Sequence, residues 1–420
     1  MLKTNRNIGN LIIKFALDLR EKQVAKYRKH IKNDEAFAVA STLILGYRAD
    51  LSKETLAAYS KTGTIHALSV SGSHVAIIFF VLDVCLTFLD RKRFLKIFKF
   101  ILICSLIWSY SLITGLSPSV VRAAIMISIF ITAKTFARNK NSYNTLAFAA
   151  FCQLIYNPFL IWDVGFQLSY ISVFGLIYLQ PKIYKWIYVK NKWLNKVWEL
   201  VAISLSAQLV TVLLCIYYFH QFPVYFLLGN LFISIPLLLI MILGIAVLAP
   251  FLDIMFPIFE WIIVTTNLVL KWIADLPYST FSSVWINLTE IILLSLALGF
   301  FVYALAKLNK KFLFASLLTY IGYTSIITYD DWNAVHQKKI IFFTLRKNYA
   351  AAFITGHEAI LLTDLSKDDR NYQFFIEPAL EQSQIGNINF ISLKQDTVLH
   401  HFVKKAIQIA FNNYNILLID

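Results

Sequence analysis

The alternation of apolar and polar positions divides the chain into three stretches. Residues 11–32 place Leu11, Ile12, Phe15, Ala16, Leu19, Val24 and Tyr27 at mostly helical spacing, with lysines and arginines between them. That pattern suits an amphipathic helix lying at a membrane surface, with packing on a soluble partner domain as the alternative. From Val75 onward long apolar runs recur, and the spacing predicts spans at 75–89, 98–114, 120–136, 145–161, 166–180, 198–219, 224–248, 258–274, 289–306 and 312–328. The eighth run is amphipathic and carries Glu260 and Lys271, so an interfacial position is open for it. Beyond residue 330 the period shortens. IIFFTL, AAFITG, AILLTD, YQFFIE and INFISL read as strands bounded by Asn, Gly and Asp, followed by a helix at 398–411 and a last strand, NILLID.

These patterns predict an all-α polytopic membrane protein of about nine or ten transmembrane helices, with a small extramembrane α+β C-terminal module. The expected organisation is a basic juxtamembrane region at 1–64, a transmembrane domain at 65–329 and the module at 330–420, whose completeness is left open because the chain stops after its last strand.

Composition supports the membrane reading. Of 420 residues, 58% are hydrophobic and 15% charged, with a mean hydropathy of +0.63. Soluble domains carry roughly 25% charged residues and under about 50% apolar ones. A signal peptide would supply only one short apolar stretch, whereas here such stretches recur along the chain. Cys85, Cys104, Cys152 and Cys215 all sit within apolar stretches, without CxxC spacing, and read as small core side chains.

The net charge of +15 is mostly a matter of orientation. With all ten runs crossing, sixteen of the eighteen Lys and Arg between residues 65 and 329 fall on one side, at 91–99, 134–140, 182–196 and 307–311. Arg122 and Lys271 stand apart. Treating the eighth run as interfacial moves Lys307, Lys310 and Lys311 to the other side, which the rule disfavours. This orientation places the N-terminal region and the tail outside the cytoplasm, and a basic N-terminus is then expected to need an upstream membrane segment, in the full protein or from another chain.

Polar groups inside or beside such runs are the candidates for function. The first group is His66, Ser69, Ser71, Gly72 and His74. His66 and His74 would lie about 12 Å apart on an unbroken helix, too far for one metal ion. A helix break at Gly72 would bring them nearer, but no third ligand is evident nearby, so metal binding, small-residue helix packing and a pore lining stay open. Arg122 either snorkels to headgroups or faces water, where its planar fork suits a phosphate. Asp163 precedes a helical run and reads most simply as an N-cap. Gln167, Ser169 and Gln208 need partners within apolar stretches, and His220 and Asn230 lie near Gly229 and Pro236, which mark a kinked or discontinuous helix. Ordinary interhelical hydrogen bonding is the alternative for each.

In order along the chain, these residues resemble the competence domain of the ComEC family. The His, Leu-x-Val/Ile-Ser-Gly, His pattern stands as His66, Leu68, Val70, Ser71, Gly72 and His74, with Ser73 where Leu is usual. Leu45, Gly46 and Arg48 precede it. The Ser-x-x-Arg-Ala block is at Ser119–Ala123, the Pro…Gly-Phe-Gln-Leu-Ser block at Pro158 and Gly165–Ser169, and the Ala-Gln, Phe-x-x-Phe and Asn…Pro elements follow.

The resemblance implies a multi-helix channel in the bacterial cytoplasmic membrane that admits single-stranded DNA during natural transformation. Its implied partners are single-stranded DNA, membrane lipid, competence DNA-delivery proteins and cytoplasmic motor proteins, with homo-oligomerisation open. It implies no cofactor. The tail lacks the His-x-His-x-Asp-His motif of a metallo-β-lactamase-like domain, and His336, His357, His400 and His401 do not reproduce it, so the chain is expected not to be an enzyme. A small-solute permease on the same helical core, or a membrane metalloenzyme using His66, His74 and His220, are the competing readings.

Overall fold

The structure is a computed structural model that describes residues 11–47, 50–136, 141–249, 251–345, 348–393, 395–399, 402–405, 408–412 and 414–417. Contacts sort the chain into two units, Met1–Phe281 and Ser282–Asp420.

The first unit opens with three helices, α1 (Leu11–His30), α2 (Asp34–Leu45) and α3 (Lys53–Lys61). The Asn33 side chain accepts the Ala36 N–H at the start of α2, the acidic pair Asp34 and Glu35 complements that helix end, and Gly46 closes it at φ 70°. Every residue of α2 from Ala36 to Leu45 is buried. Next come α4 (Gly72–Cys85), α5 (Arg93–Ile113), α6 (Pro118–Phe136), α7 (Ser142–Tyr156), α8 (Val164–Tyr178), the short α9 (Gln180–Tyr184) and α10 (Lys192–Phe219). Strand β1 (Phe222–Pro223) leads into α11 (Phe226–Ala246), α12 (Phe256–Ala274) and strand β2 (Thr280–Phe281), which pairs back onto β1.

The principal core of this unit joins α2 to α11 and α12, through residues such as Phe37, Ile44, Leu237, Met241, Phe259 and Ile263. Tyr27 donates its hydroxyl to the Gly244 carbonyl at 2.7 Å, and Tyr59 to Asn267 Oδ1 at 2.9 Å. Burial holds the Tyr59 phenol far above its ordinary range, so it stays a hydroxyl donor.

The second unit begins with α13 (Leu288–Lys307) and α14 (Lys310–His336). Helix α14 carries the chain unbroken through position 330, so a helix and not a linker leads into the tail. Strands β3 (Lys338–Thr344), β4 (Tyr349–Thr355) and β5 (Glu358–Thr363) are followed by α15 (Glu377–Gln382), then β6 (Asn387–Ile391), β7 (Thr397–Leu399), β8 (Phe402–Lys405), β9 (Gln408–Phe411) and β10 (Tyr414–Leu417). The first sheet runs β3-β4-β5-β6, antiparallel except for the parallel β5/β6 pair, and the second runs β10-β9-β8-β7. One face of the first sheet packs on Tyr372, Ile376 and Leu380. Its other face meets the second sheet, where Phe353 packs against the rings of Phe402 and Phe411.

Each of the ten apolar runs is a helix. Among the described residues, seven helices are long and apolar enough to cross a membrane: α5, α6, α10, α11, Asp253–Ala274 (α12 with the turn before it), α13 and α14. Helices α4, α7 and α8 have 14, 15 and 15 residues. Fifteen residues reach about 22 Å, less than a hydrocarbon core of about 30 Å. The chain is a multi-pass helical membrane protein with a β-containing C-terminal region.

Two readings of the tail are corrected. The expected strand YQFFIE is a π-helical turn, Tyr372–Ile376, running into α15. Tyr372, Ile376 and Leu380 bury at four-residue spacing, and Asp369 accepts the Asn371 N–H ahead of them. Among the described residues the expected helix at 398–411 is instead strand, in β7, β8 and β9, while positions 400, 401, 406 and 407 lie outside the described residues. Phe402, Lys404, Ile409 and Phe411 are buried at alternate positions, and Lys404 Nζ reaches the Gln395 carbonyl at 3.1 Å and Asp396 at 3.8 Å.

Candidate functional site

Most of the polar residues singled out in the sequence fall at or near the ends of helices in the first unit, while Ser169 and Gln208 lie within α8 and α10. Residues 62–71 form turns, and α4 begins at Gly72, so the helix break that would bring His66 and His74 closer is present. His74 is fully buried one turn into α4. Its Nδ1 accepts the Ser71 backbone N–H at 2.9 Å and lies 2.9 Å from Ser71 Oγ, which also contacts Ser73 Oγ at 2.7 Å. His74 therefore fills the position that Glu or Gln takes in a capping box, reaching back to the N-cap. With Nδ1 accepting, a neutral ring carries its proton on Nε2, which is buried without a hydrogen-bond partner among the described residues. His66 is exposed, with Nδ1 3.2 Å from the Gly63 carbonyl. Ser69 is half-buried in the same turn.

This turn rests on α6. Ser119 donates its hydroxyl to the Val70 carbonyl at 2.7 Å, and a Cβ on Gly72 would sit 3.5 Å from that of Ala123. One residue before Ala123, Arg122 points inward and is only 7% exposed. Its Nη1 meets Asp163 Oδ1 at 3.2 Å. Asp163 is the N-cap that its sequence context predicts, since the same oxygen accepts the Phe166 N–H at 2.7 Å. The pairing with Arg122 was not legible from that context. Space for the guanidinium comes from Gly165, where a Cβ would lie 2.6 Å from Nη2. Arg122 Nε is buried without a partner among the described residues. Arg122 thus neither snorkels nor stands free in a cavity. It ties α6 to the start of α8.

Gln167 joins the next layer. Its Nε2 donates to the Ile161 carbonyl at 2.8 Å, and its Oε1 accepts the Tyr218 hydroxyl of α10 at 3.0 Å. Ser169 and Gln208 are half-buried on α8 and α10. His220 ends α10 in the left-handed conformation, φ 53°. Asn230, on α11, has Oδ1 buried without a partner among the described residues, beside Gly229 where the chain closely approaches the Thr62 carbonyl.

The structure therefore gathers Ser71, Gly72, His74, Arg122, Asp163 and Gln167 along the adjoining ends of α4, α6 and α8. Gln208 and Asn230 make no hydrogen bond to that cluster among the described residues. Sequence reasoning missed Gln153, whose Nε2 donates to Tyr170 Oη at 2.6 Å, and Tyr218. Gln153 carried a usable signal, as a lone amide in the apolar run 145–161. Among the described residues, no group of three or more His, Cys, Asp or Glu is placed to hold a metal ion.

The family model described as "Competence protein" matches residues 43–308, more than half of the chain and the whole of this polar cluster. The chain belongs to the competence protein family. A second model, the ComEC C-terminal domain, matches residues 340–420, so the sheets of the tail have a counterpart in the family too. This competence protein is 28% identical over 229 residues to "ComE operon protein 3" of Bacillus subtilis (strain 168), covering 54% of the present chain and 27% of that protein. It is 23% identical over 161 residues to an uncharacterized protein of Aquifex aeolicus (strain VF5), covering 38% of the chain and 37% of the relative. The chain thus matches 27% and 37% of the length of these two curated relatives. No solved structure matches it.

Proposed function

We propose that this chain is a channel component of the bacterial cytoplasmic membrane that passes single-stranded DNA inward during natural transformation. The observation that carries the reading is the coincidence of the family match over residues 43–308 with a seam of three polar pairs, Ser71–His74, Arg122–Asp163 and Gln167–Tyr218, set among apolar helices. A polyanion crossing a membrane needs fixed polar groups and at least one cation that its phosphates can engage. Arg122 is that cation: it is planar, buried, and committed through a single ion pair. A phosphate that displaces Asp163 finds a guanidinium already in place. The chain conducts the strand and does not cut it, so cleavage of the complementary strand is left to another protein. DNA-delivery proteins outside and a motor inside are its functional partners.

The test is transformation frequency in the source bacterium for wild type, a deletion, and the deletion complemented with wild-type or Arg122→Ala protein, with membrane insertion verified for each. The expected result is loss in the deletion, rescue by wild type, and at least a tenfold deficit with well-inserted Arg122→Ala. A deletion strain that still transforms normally through intact uptake machinery would overturn the reading.

A further inference from the structure

Helices α11 and α12 form a hairpin whose base, length and tip are each fixed by contacts. At the base, Phe222 pairs with Phe281 and Pro223 with Thr280, the Val224 N–H donates to the Ser279 carbonyl at 3.0 Å, and Gln221 Nε2 donates to Ser60 Oγ at 2.9 Å. Along its length, Glu260 Oε1 accepts the N–H groups of Lys32 and Asn33 at 3.1 and 2.7 Å, and Lys271 Nζ pairs with Glu35 at 2.9 Å and Glu54 at 3.0 Å. At the tip, Lys26 Nζ donates to the Val247 carbonyl at 2.8 Å and pairs with Asp253 at 2.7 Å, while the His30 ring stacks on Phe256 with centroids 4.5 Å apart. All three places engage the layer built from α1, α2 and α3.

That layer lies at one end of α4, α5 and α6. A Cβ on Gly46 would sit 2.9 Å from the carbonyl oxygen of Thr114, the C-cap of α5, and one on Gly115 would sit 2.9 Å from Arg20 Nη1. Ile44, two residues before Gly46, packs directly over Gly244 near the hairpin tip. At the other end of these helices, Asp83 binds Lys99 and Lys134. The 21 residues of α5 separate the two ends by about 31 Å. Tip and base of the hairpin are thus both held at the α5–α6 turn end.

A hairpin that crossed would have to carry Lys26, Asp253 and Glu260, and the polar helix α1 with them, to the far face. Charges at bilayer depth are costly unless they face protein or water. The uncovered side of the hairpin is apolar and regularly spaced: Ile235, Leu239 and Ile242 on α11, and Trp261, Leu268 and Trp272 on α12, are all exposed. The tryptophans suit the boundary between headgroups and hydrocarbon.

We propose that α11–α12 returns to the membrane face from which it starts, with its uncovered side docked into the hydrocarbon of that one leaflet. The partner of this surface is lipid. The placement is independent of the DNA reading. It also keeps the charge rule intact. Withdrawing both helices from the crossing set leaves Lys307, Lys310 and Lys311 on the side of the other basic loops, whereas withdrawing α12 alone does not.

The test is sided labelling of the full chain, with Cys85, Cys104, Cys152 and Cys215 replaced by serine or alanine and single cysteines added back. Phe251→Cys and Ile254→Cys report the tip, Asp275→Cys the base, and Tyr188→Cys the basic side; Phe251, Ile254 and Tyr188 are each at least 86% exposed. A membrane-impermeant maleimide is expected to reach tip and base from the same side, and Tyr188→Cys only after permeabilisation. Tip cysteines that label together with Tyr188→Cys would overturn the proposal. Lipids brominated high or low on the acyl chain supply the second arm. The fluorescence lost in Trp261→Phe and Trp272→Phe should be quenched by shallow bromines. Absence of that quenching, with cross-linking of Leu268→Cys between copies, would assign the surface to a second copy and reject lipid.

Discussion

Two buried cations sit toward opposite ends of α5 and α6, and they are satisfied very differently. Lys99, with a side chain 7% exposed, meets Asp83 Oδ1 at 2.7 Å, the Asp83 carbonyl at 3.0 Å and Asp90 Oδ2 at 3.0 Å. Its three N–H donors have three acceptors, and Asp83 also holds Lys134 at 2.7 Å. Arg122, 9% exposed at its side chain, holds one carboxylate oxygen at 3.2 Å and keeps a buried Nε without a partner among the described residues. A buried donor left unpaired costs about 1–3 kcal/mol. The first group is a closed clamp on the helix ends, at home in a region that only has to hold together. The second is under-committed, as a cation must be if a passing anion is to exchange with its partner.

The contrast breaks most visibly at Asp83. Asp83→Ala leaves Lys99 with the carboxylate of Asp90 and Lys134 without the one it holds, and a buried donor that loses a charged acceptor costs about 1–3 kcal/mol. We expect a large drop in the melting temperature of the detergent-purified protein; a wild-type melt would show that the clamp carries no stability. Gly165→Ala should act the other way round. Its new methyl meets the guanidinium, an overpacking cost of about 1–3 kcal/mol. Transformation should fall at least tenfold while the protein stays folded and inserted, and unchanged transformation would mean that the Arg122 geometry does not matter. Asp163→Asn and Asp163→Ala then separate two roles of one side chain. Asparagine keeps the cap and loses the charge, whereas alanine also loses a cap worth about 0.5–2 kcal/mol. The melting temperature should be lower for alanine, with both variants impaired in uptake. The smallest effect is expected for Tyr218→Phe, which removes one neutral hydrogen bond to Gln167 worth about 1 kcal/mol; a loss as deep as that of Gly165→Ala would move the centre of the seam from α6 to α10.

Much of this fold was legible because lipid enforces it. Long apolar runs have few other uses, and all ten became helices. The cap at Asp163 was readable because capping is local, fixed by residues 163 to 166. Its ion pair with Arg122 was not, because nothing in sequence spacing relates positions 41 residues apart. The same limit hid α2. Its apolar residues 36–45 are too few to span and sit in a basic segment, so their pattern does not mark them as core, yet they lie at the centre of the main core. In the tail, 398–411 read as a helix because its apolar residues fit either period over so short a distance. The sheet wins there because Phe402, Ile409 and Phe411 all find Phe353 and its neighbours on one side.

The burial of α2 also has a consequence for biosynthesis. The layer around α2 is closed by late partners: Tyr27 of α1 reaches Gly244 across 217 residues, Tyr59 of α3 reaches Asn267 across 208, and Glu35 of α2 itself reaches Lys271 across 236. At roughly 5–20 residues per second, the ribosome needs on the order of 10–50 s to deliver them. For that interval α2 is covered only by early members of its cluster, such as Tyr27 and Ile31 before it and Tyr59, Ala67 and Leu68 after it, while the side that meets α11 and α12 stays open. A chain stopped before α12 would therefore leave the part of α2 that faces Phe259 and Ile263 uncovered.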